Sequence, residues 1–339
     1  MIGTTAPLGR SGVRVGRVGL GTGPLGGLFS AVDDEQAADT LAAAWDAGIR
    51  YFDTAPHYGA GLAEERLGAF LAGRPRAEAV LSTKVGRLLR PATPAEARAD
   101  AEGFEGAPDR VRVRDYSSEG VRRSLAESLE RAGLDSFDVV LIHDPDAHWE
   151  PAVREAYPAL ARLREEGVVK AIGVGMNQCA MLSRFVAETD VDCVLVAGRY
   201  SLLDREAARD LLPRCAARGT GVLVGGVFNS GVLAAPSSGA HYNYAPVPER
   251  VLRRARRLAG RCAAHGVPLA AAALQFPLRH PAVTGVVVGA RTAEEVARNA
   301  EHAATEVPDA LWDELNEPDE LNEPEELNEL NEPEGEAGP

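Results

Sequence analysis

The sequence predicts an α/β chain folded as a (β/α)8 TIM barrel. Short apolar runs alternate with amphipathic stretches eight times in about 300 residues, which is the length and rhythm of that barrel. Three consecutive runs end in an ionisable side chain: RYFDT carries Asp53, EAVLSTK ends in Lys84 and DVVLIH ends in His143. Tyr58 follows just beyond the first of these, after Ala55-Pro56 stops the strand. Barrels of this class place their chemistry at such strand ends, where a rigid backbone opens into a cavity.

In order, the first strand is Val18 to Thr22, followed by a helix from Asp34 to Ala47 with Asp33 as N-cap. The second strand covers 50 to 54, with a helix over 62 to 72. The third strand covers 79 to 84, and its helix 119 to 132. The fourth is 138 to 143, with a helix over 151 to 166. Val168 to Val174, Asp192 to Val196 and Thr220 to Gly225 are the fifth to seventh strands, separated by amphipathic stretches at 178 to 188 and 204 to 218. Helical residues 248 to 264 precede the eighth strand, Val283 to Val288, and another helix starts at Ala293. A helix over each strand lets a parallel sheet close with no exposed edge.

The ionisable groups suggest a chemistry. Moving a hydride to or from a carbinol carbon needs a proton partner on its oxygen, and a free phenol, with a pKa near 10, is poorly matched to neutral pH. A Lys84 ammonium beside Tyr58 stabilises phenolate, and Asp53 holds that ammonium by a charge-assisted hydrogen bond. His143 then orients the substrate oxygen. Taken singly, a terminal lysine is an ordinary snorkelling residue and a lone histidine an ordinary rim residue. Four such groups on neighbouring strand ends make that reading less economical.

These residues resemble the aldo-keto reductases from about Leu8 to Trp312. The family's catalytic tetrad of Asp, Tyr, Lys and His maps onto Asp53, Tyr58, Lys84 and His143. The opening LGRSGVRVGRVGLGTGPLGG is similar to the family's N-terminal β-hairpin, which plugs the bottom of the barrel. STKVGRLLRP, LIHDPD, AGRYSLLD and VVVGARTAEEV resemble the aldose 1-dehydrogenase branch that includes L-fucose dehydrogenases, with pyridoxal 4-dehydrogenase nearby. The resemblance implies an NAD(P)-dependent oxidoreductase that oxidises the C1 hydroxyl of an aldose to a lactone. The alternative is an aldehyde or ketone reductase acting on pyridoxal or a secondary metabolite.

It also implies a cofactor site. Gly21 and Thr22 line the nicotinamide side of the mouth with Asp53, and Asn177, after IGVGM, bonds the carboxamide. Ala197 stands where many members have Gln, and Gly225 or Gly226 where many have Tyr. Phe228 offers a stacking face, and the loop Phe228, Asn229, Ser230, Gly231, Val232, Leu233 crosses the pyrophosphate. Gly289, Arg291, Glu295 and Asn299 bear on the adenosine. Glu295 stands where NADP-preferring relatives carry a basic residue; it repels a 2′-phosphate and favours NAD, whereas Arg291 argues for NADP.

Gly21, Gly23 and Gly26 form a GxGxxG pattern with Asp53 beyond it, close to a Rossmann fingerprint. Pro24 and the apolar run after it delay the helix too far for its N-terminus to reach a pyrophosphate. Asp138, His143, Asp144, Asp146 and His148 raise a metal-assisted hydrolase as a remote alternative, but such barrels draw ligands from several strands. A noncatalytic barrel is expected to have lost a tetrad member, and none is missing.

The net charge of −14 is localised, because residues 309 to 339 carry 13 of the 50 acidic residues and no Lys or Arg. A nearly neutral body argues against a nucleic-acid partner, and no apolar run approaches a membrane span. The barrel is therefore expected over 1–316 and a disordered acidic tail over 317–339. Four cysteines without CxxC spacing, and no secretory leader, point to the cytoplasm. The expected partner is a small molecule, sugar or other carbonyl compound, bound by a monomer or homodimer, with Trp149, Tyr242, Tyr244 and the insertion from Gly86 to Ser118 walling the pocket beside Tyr58 and His143.

Overall fold

The computed structural model describes residues 1–317, so the expected tail lies, past Glu317, outside the described residues. The chain opens with an antiparallel hairpin, β1 (Thr5–Pro7) and β2 (Arg14–Gly16). The barrel begins with β3 (Val18–Gly21), β4 (Tyr51–Asp53) and β5 (Val80–Val85). A second hairpin, β6 (Arg87–Pro91) and β7 (Arg110–Arg114), intervenes. The barrel resumes with β8 (Val139–His143), β9 (Ala171–Met176), β10 (Cys193–Ala197) and β11 (Gly221–Gly225). After a short hairpin, β12 (His241–Tyr242) and β13 (Ala245–Pro246), β14 (Val283–Gly289) pairs with both β11 and β3 and closes the barrel. This is the predicted eight-stranded parallel barrel with its helices outside.

Strand alternation sorts the side chains. Phe52, Leu81, Val140 and Ile142 face the helices, while Tyr51, Val139 and Leu141 turn inward. Asp53, Lys84 and His143 share the inward phase, because each stands two residues beyond an inward-facing Tyr51, Ser82 or Leu141. Leu8, Val13 and Val15 of the first hairpin join the inner cluster, so the hairpin plugs the barrel floor. At Gly9 a Cβ would lie 2.2 Å from the Asp192 carbonyl, which is how close the plug sits to the strand starts.

Most boundaries match the sequence expectation within a residue or two, and Asp33 caps its helix by accepting from the Gln36 amide. The fifth barrel strand starts later than expected, at Ala171 instead of Val168. Gly167, at φ +74°, turns the chain, the Val168 amide bonds back to Leu163, and Val168 is left 44 % exposed. The expected helix over 151 to 166 begins at Trp149 and contains a π-turn, Ala152–Ala156. Pro158 lies just beyond that turn and lacks an amide hydrogen, a sufficient reason for the local widening. Helices Leu269–Gln275 and Asp309–Asn316 were not read from the sequence.

Helix Leu62–Leu71 packs on helix Ser118–Ala132 through Gly68, where a Cβ would lie 1.9 Å from the Ala132 carbonyl oxygen. Below that contact the fully buried Glu64 accepts from Thr83 Oγ1 and from Arg131 Nε, each at 2.8 Å. Gly68→Ala should therefore force the helices apart and lower unfolding free energy by about 1–3 kcal/mol, read as a lower urea midpoint. An unchanged midpoint would mean the helix pair yields without strain.

Candidate active site

The tetrad assembles at the C-terminal strand ends. In register Asp53 stands opposite Ser82, Lys84 opposite Leu141 and His143 opposite Gly175, so the three inward residues climb the stagger of adjacent strands. Lys84 Nζ donates to Asp53 Oδ2 at 2.7 Å, to the Thr54 carbonyl at 3.0 Å and to Tyr58 Oη at 2.9 Å. An ammonium has three hydrogens, so Lys84 is saturated. Asp53 Oδ1 accepts from Ser82 Oγ at 2.7 Å, and Ser82 contacts the Tyr51 hydroxyl at 2.9 Å. The Tyr58 and His143 rings meet edge to face at 5.9 Å.

The third glycine of the GxGxxG pattern has a local explanation. A Cβ on Gly26 would lie 2.7 Å from the Tyr58 carbonyl carbon, whereas one on Gly23 would meet nothing within 4 Å. Gly26 is thus where the first loop lets the Tyr58 loop pass, a packing role.

The electrostatics refine the expectation for Tyr58. Burial pushes its hydroxyl up to about 12, and the neighbouring Lys84 ammonium only moderates this. The resting tyrosine is a neutral phenol, and the Lys84 stabilisation of phenolate expected from the sequence is outweighed by burial. Burial also disfavours the Lys84 ammonium, but Asp53 and Tyr58 outweigh it and raise its pKa. Burial holds His143 well below its ordinary value, assisted by Arg87 and Lys84, so the imidazole is neutral.

Thr22 is fully buried and donates through Oγ1 to the Asp53 carbonyl at 3.1 Å, beside Gly21 at the end of β3. Asn177 follows β9 and stands near the hydroxyl of Tyr244, a residue 56 % exposed. Phe228 is half-buried against the core. Asn229 is buried, with Oδ1 accepting from Ser201 Oγ and Nδ2 donating to the Gly198 carbonyl; those groups tie two loops together. Leu233 is fully buried and its amide bonds to the Phe228 carbonyl. Ser230 Oγ accepts from the Tyr244 amide at 3.1 Å, and a Cβ on Gly231 would meet nothing within 4 Å. Gly289 ends β14, Glu295 Oε2 accepts from the Arg291 amide at 2.8 Å, and Arg291 Nη2 donates to the Leu28 carbonyl. Asn299 is half-buried on the helix that follows, Ala293–Ala304.

The residues expected to hold a nicotinamide, Thr22, Asn177 and Gly225, lie at the ends of β3, β9 and β11 on this half of the mouth. Ala197 and Gly225 are paired across β10 and β11, and a Cβ on Gly225 would pack at ordinary contact distance, 3.5 Å from Leu195 and 3.6 Å from Ala197.

Trp149 was expected in the pocket wall. Instead its ring packs at 4.7 Å on Phe185 of helix Cys179–Glu188, under the Arg184 guanidinium, in the outer helical layer. The insertion does reach the mouth. Its Phe104 lies edge-on to His57 at 5.1 Å and 6.3 Å from Tyr58. Across the opening, Phe29 stacks on His241 at 5.0 Å and approaches Tyr244 at 6.2 Å. Sequence reasoning did not single out Phe29, His57, Arg87, Glu102 or Phe104, and it weighed Asp144 only as a metal ligand. His57 carried a signal as a neighbour of Tyr58, and Arg87, Glu102 and Phe104 lie within the insertion expected to wall the pocket. Asp138, grouped in the sequence with His143 and Asp144, lies at the opposite end of β8, bound by Arg76 and Lys170.

A parallel barrel with Asp, Tyr, Lys and His joined at its C-terminal mouth defines a carbonyl–carbinol oxidoreductase. The chain belongs to the aldo/keto reductase family, whose model matches residues 17–320, and as a member it uses NAD(P). It is 47 % identical over 322 residues to a D-threo-aldose 1-dehydrogenase of Pseudomonas sp, covering 94 % of this chain and 98 % of that one. It is 41 % identical to a pyridoxal 4-dehydrogenase of Microbacterium luteolum, covering 91 % and 95 % of the two chains. In fold it resembles the holo form of aldo-keto reductase AKR11C1 from Bacillus halodurans, at a TM-score of 0.72 and 24 % identity over 92 % of this chain and 95 % of that one.

Tyr58→Phe should cut turnover by roughly 100-fold to 10,000-fold with nucleotide binding intact by fluorescence titration. Near-normal turnover would remove the phenol from the chemistry. Because the Tyr58 pKa is raised, phenolate is gained only as pH rises toward about 12. The kcat/KM for oxidation should accordingly climb with pH from neutrality upward, while reduction, which uses the phenol, stays flat to about pH 9. A flat oxidative profile would assign the base elsewhere.

Proposed function

We propose that this protein oxidises the C1 hydroxyl of an aldose to the lactone, preferring NAD, with Asp53, Tyr58, Lys84 and His143 as its catalytic set. The observation that carries this reading is the mouth beside His143. It presents charged, hydrogen-bonding groups, Asp144, Arg87 and Glu102, where a reductase of apolar ketones would need a greasy wall. The extent of identity to the D-threo-aldose 1-dehydrogenase supports the same substrate class.

A bound nicotinamide supplies the acceptor or donor of hydride; the chain's own residues handle the proton and the orientation. The neutral His143 imidazole and the Tyr58 hydroxyl converge on the carbinol oxygen. In oxidation Tyr58 takes the hydroxyl proton as the base, and Lys84 at 2.9 Å stabilises the charge left on the phenol oxygen when that base is formed. In reduction the neutral phenol gives its proton to the forming alkoxide. Asp53, bonded to both Ser82 and Lys84, keeps the ammonium in place through either direction.

The NAD preference rests on Glu295, whose carboxylate lies at the start of helix Ala293–Ala304, while the Arg291 guanidinium bonds the Leu28 carbonyl. Among the described residues no helix is long and apolar enough to cross a membrane, and the four cysteines are buried and free. Buried free thiols support a reducing cytoplasm.

The test follows reduced-nicotinamide absorbance with NAD and NADP against L-fucose, D-arabinose, L-galactose and pyridoxal, with aldehydes in reverse. Sugar-dependent growth with NAD is expected. Signal confined to pyridoxal or to aldehyde reduction would overturn the aldose assignment, and a Michaelis constant for NADP lower by about tenfold, ~1.4 kcal/mol, would overturn the NAD preference.

A further inference from the structure

The mouth holds a charge cluster that the tetrad chemistry does not use. Arg87, the first residue of β6, is 5 % exposed. Its guanidinium bonds His57 Nδ1 at 2.9 Å, Glu102 Oε2 at 3.1 Å and Asp144 Oδ2 at 2.8 Å. Arginine only donates, so His57 Nδ1 is an acceptor and the ring carries its hydrogen on Nε2. Burial, helped by the positive charges of Arg87, Arg112 and Lys84, pushes His57 down to about 2, which keeps it neutral.

Asp144 is the member aimed at the chemistry. Its Oδ2 lies 3.4 Å from His143 Nε2. Its backbone is left-handed, φ +41°, as is that of Glu102 at +47°. Such conformations are costly for a glutamate, are visited more readily by aspartate, and gather at functional sites. The conformation is held by the Asp144 amide donating to the Gly175 carbonyl and by the Tyr116 hydroxyl donating to the Asp144 carbonyl. The contacts to Arg87 and His143 both use Oδ2, and the side chain keeps 27 % exposure, so Oδ1 is taken by neither contact.

We propose that Asp144, clamped by Arg87 against the His143 imidazole, accepts a hydrogen bond from the substrate hydroxyl next to the reacting carbon and so selects polyhydroxylated substrates. This inference rests on the aldose reading for its substrate class. The groups surrounding the carboxylate are Arg87 from β6, Lys84 from β5, His143 from β8, Asp146 on its own loop, Glu102 from the insertion and Tyr244 across the mouth. Burial raises the Asp144 pKa to about 6 against the pull of Arg87, so the ionised acceptor is present above about pH 6 and lost below it.

The experiment compares kcat/KM for glyceraldehyde with that for propanal, which has the same skeleton without hydroxyls, in the reductive direction. In Asp144→Asn the ratio should fall about 10-fold to 100-fold through the KM for glyceraldehyde. The parent ratio should drop as pH falls through about 6, and the variant ratio should be flat. Asp144→Glu keeps the charge opposite Arg87 but moves the acceptor, and it too must lower the ratio. An unchanged ratio in either variant, or an equal loss on both aldehydes, would overturn the proposal and leave Asp144 as a counterion of Arg87. Reduction of both aldehydes with no aldose oxidised would sink the aldose reading alone, since the ratio still tests Asp144. The same ratio is read in oxidation from L-fucose and its 2-deoxy analogue; a protein idle on every pair would overturn both.

Discussion

A lysine ammonium 1 % exposed inside a barrel is the constraint on which the site depends. Removing such a charge from water costs several kcal/mol, and it is tolerated only with a close counterion and all its hydrogens bonded. Asp53 supplies the counterion, and Thr54 and Tyr58 take the other two hydrogens. Asp53 is in turn held by Ser82, and Ser82 by Tyr51. The Tyr58 loop must therefore come inward, which requires the close approach at Gly26. Loss of any partner leaves a buried charge partly unmatched, so catalytic placement and local stability are the same requirement.

The second layer of control lies in the insertion after β5. Its hairpin places Arg87 at the mouth, and the connecting segment adds Glu102 and Phe104. These groups are not needed to close a barrel. With Asp144, which follows β8, they form a charged collar around His57 and His143, and its two carboxylates stand on left-handed backbone. On the far side, Phe29 and Tyr244 come from loops widely separated in the chain and approach across the opening. In the proposed reaction the rigid strand ends carry the chemistry, and the loops around the mouth shape what reaches it.

Much of this was legible in the sequence for simple reasons. A barrel strand alternates with period two, so Tyr51 with Asp53, Ser82 with Lys84 and Leu141 with His143 announce their inward phase. Helix starts such as Asp33 carry local chemistry that needs no tertiary context. Where the reading slipped, a neighbour intervened. Val168 has the composition of a strand residue but is spent in a turn after Gly167, and Trp149 has the look of a pocket wall but is drawn to Phe185 and Arg184. Asp138 and His143 are close in sequence yet lie at opposite ends of one strand.

By itself the sequence determined the barrel, the strand ends that carry the tetrad and the hydride-transfer chemistry, because periodicity and residue type are local properties of a chain. Only the tertiary structure decided that Tyr58 rests as a neutral phenol and that Asn229 serves as a loop tie. It alone decided that Arg87 gathers His57, Glu102 and Asp144 around the mouth. Desolvation and hydrogen-bond saturation depend on which segments pack together, and those neighbours are 15 to 57 residues apart in the chain for Arg87 alone.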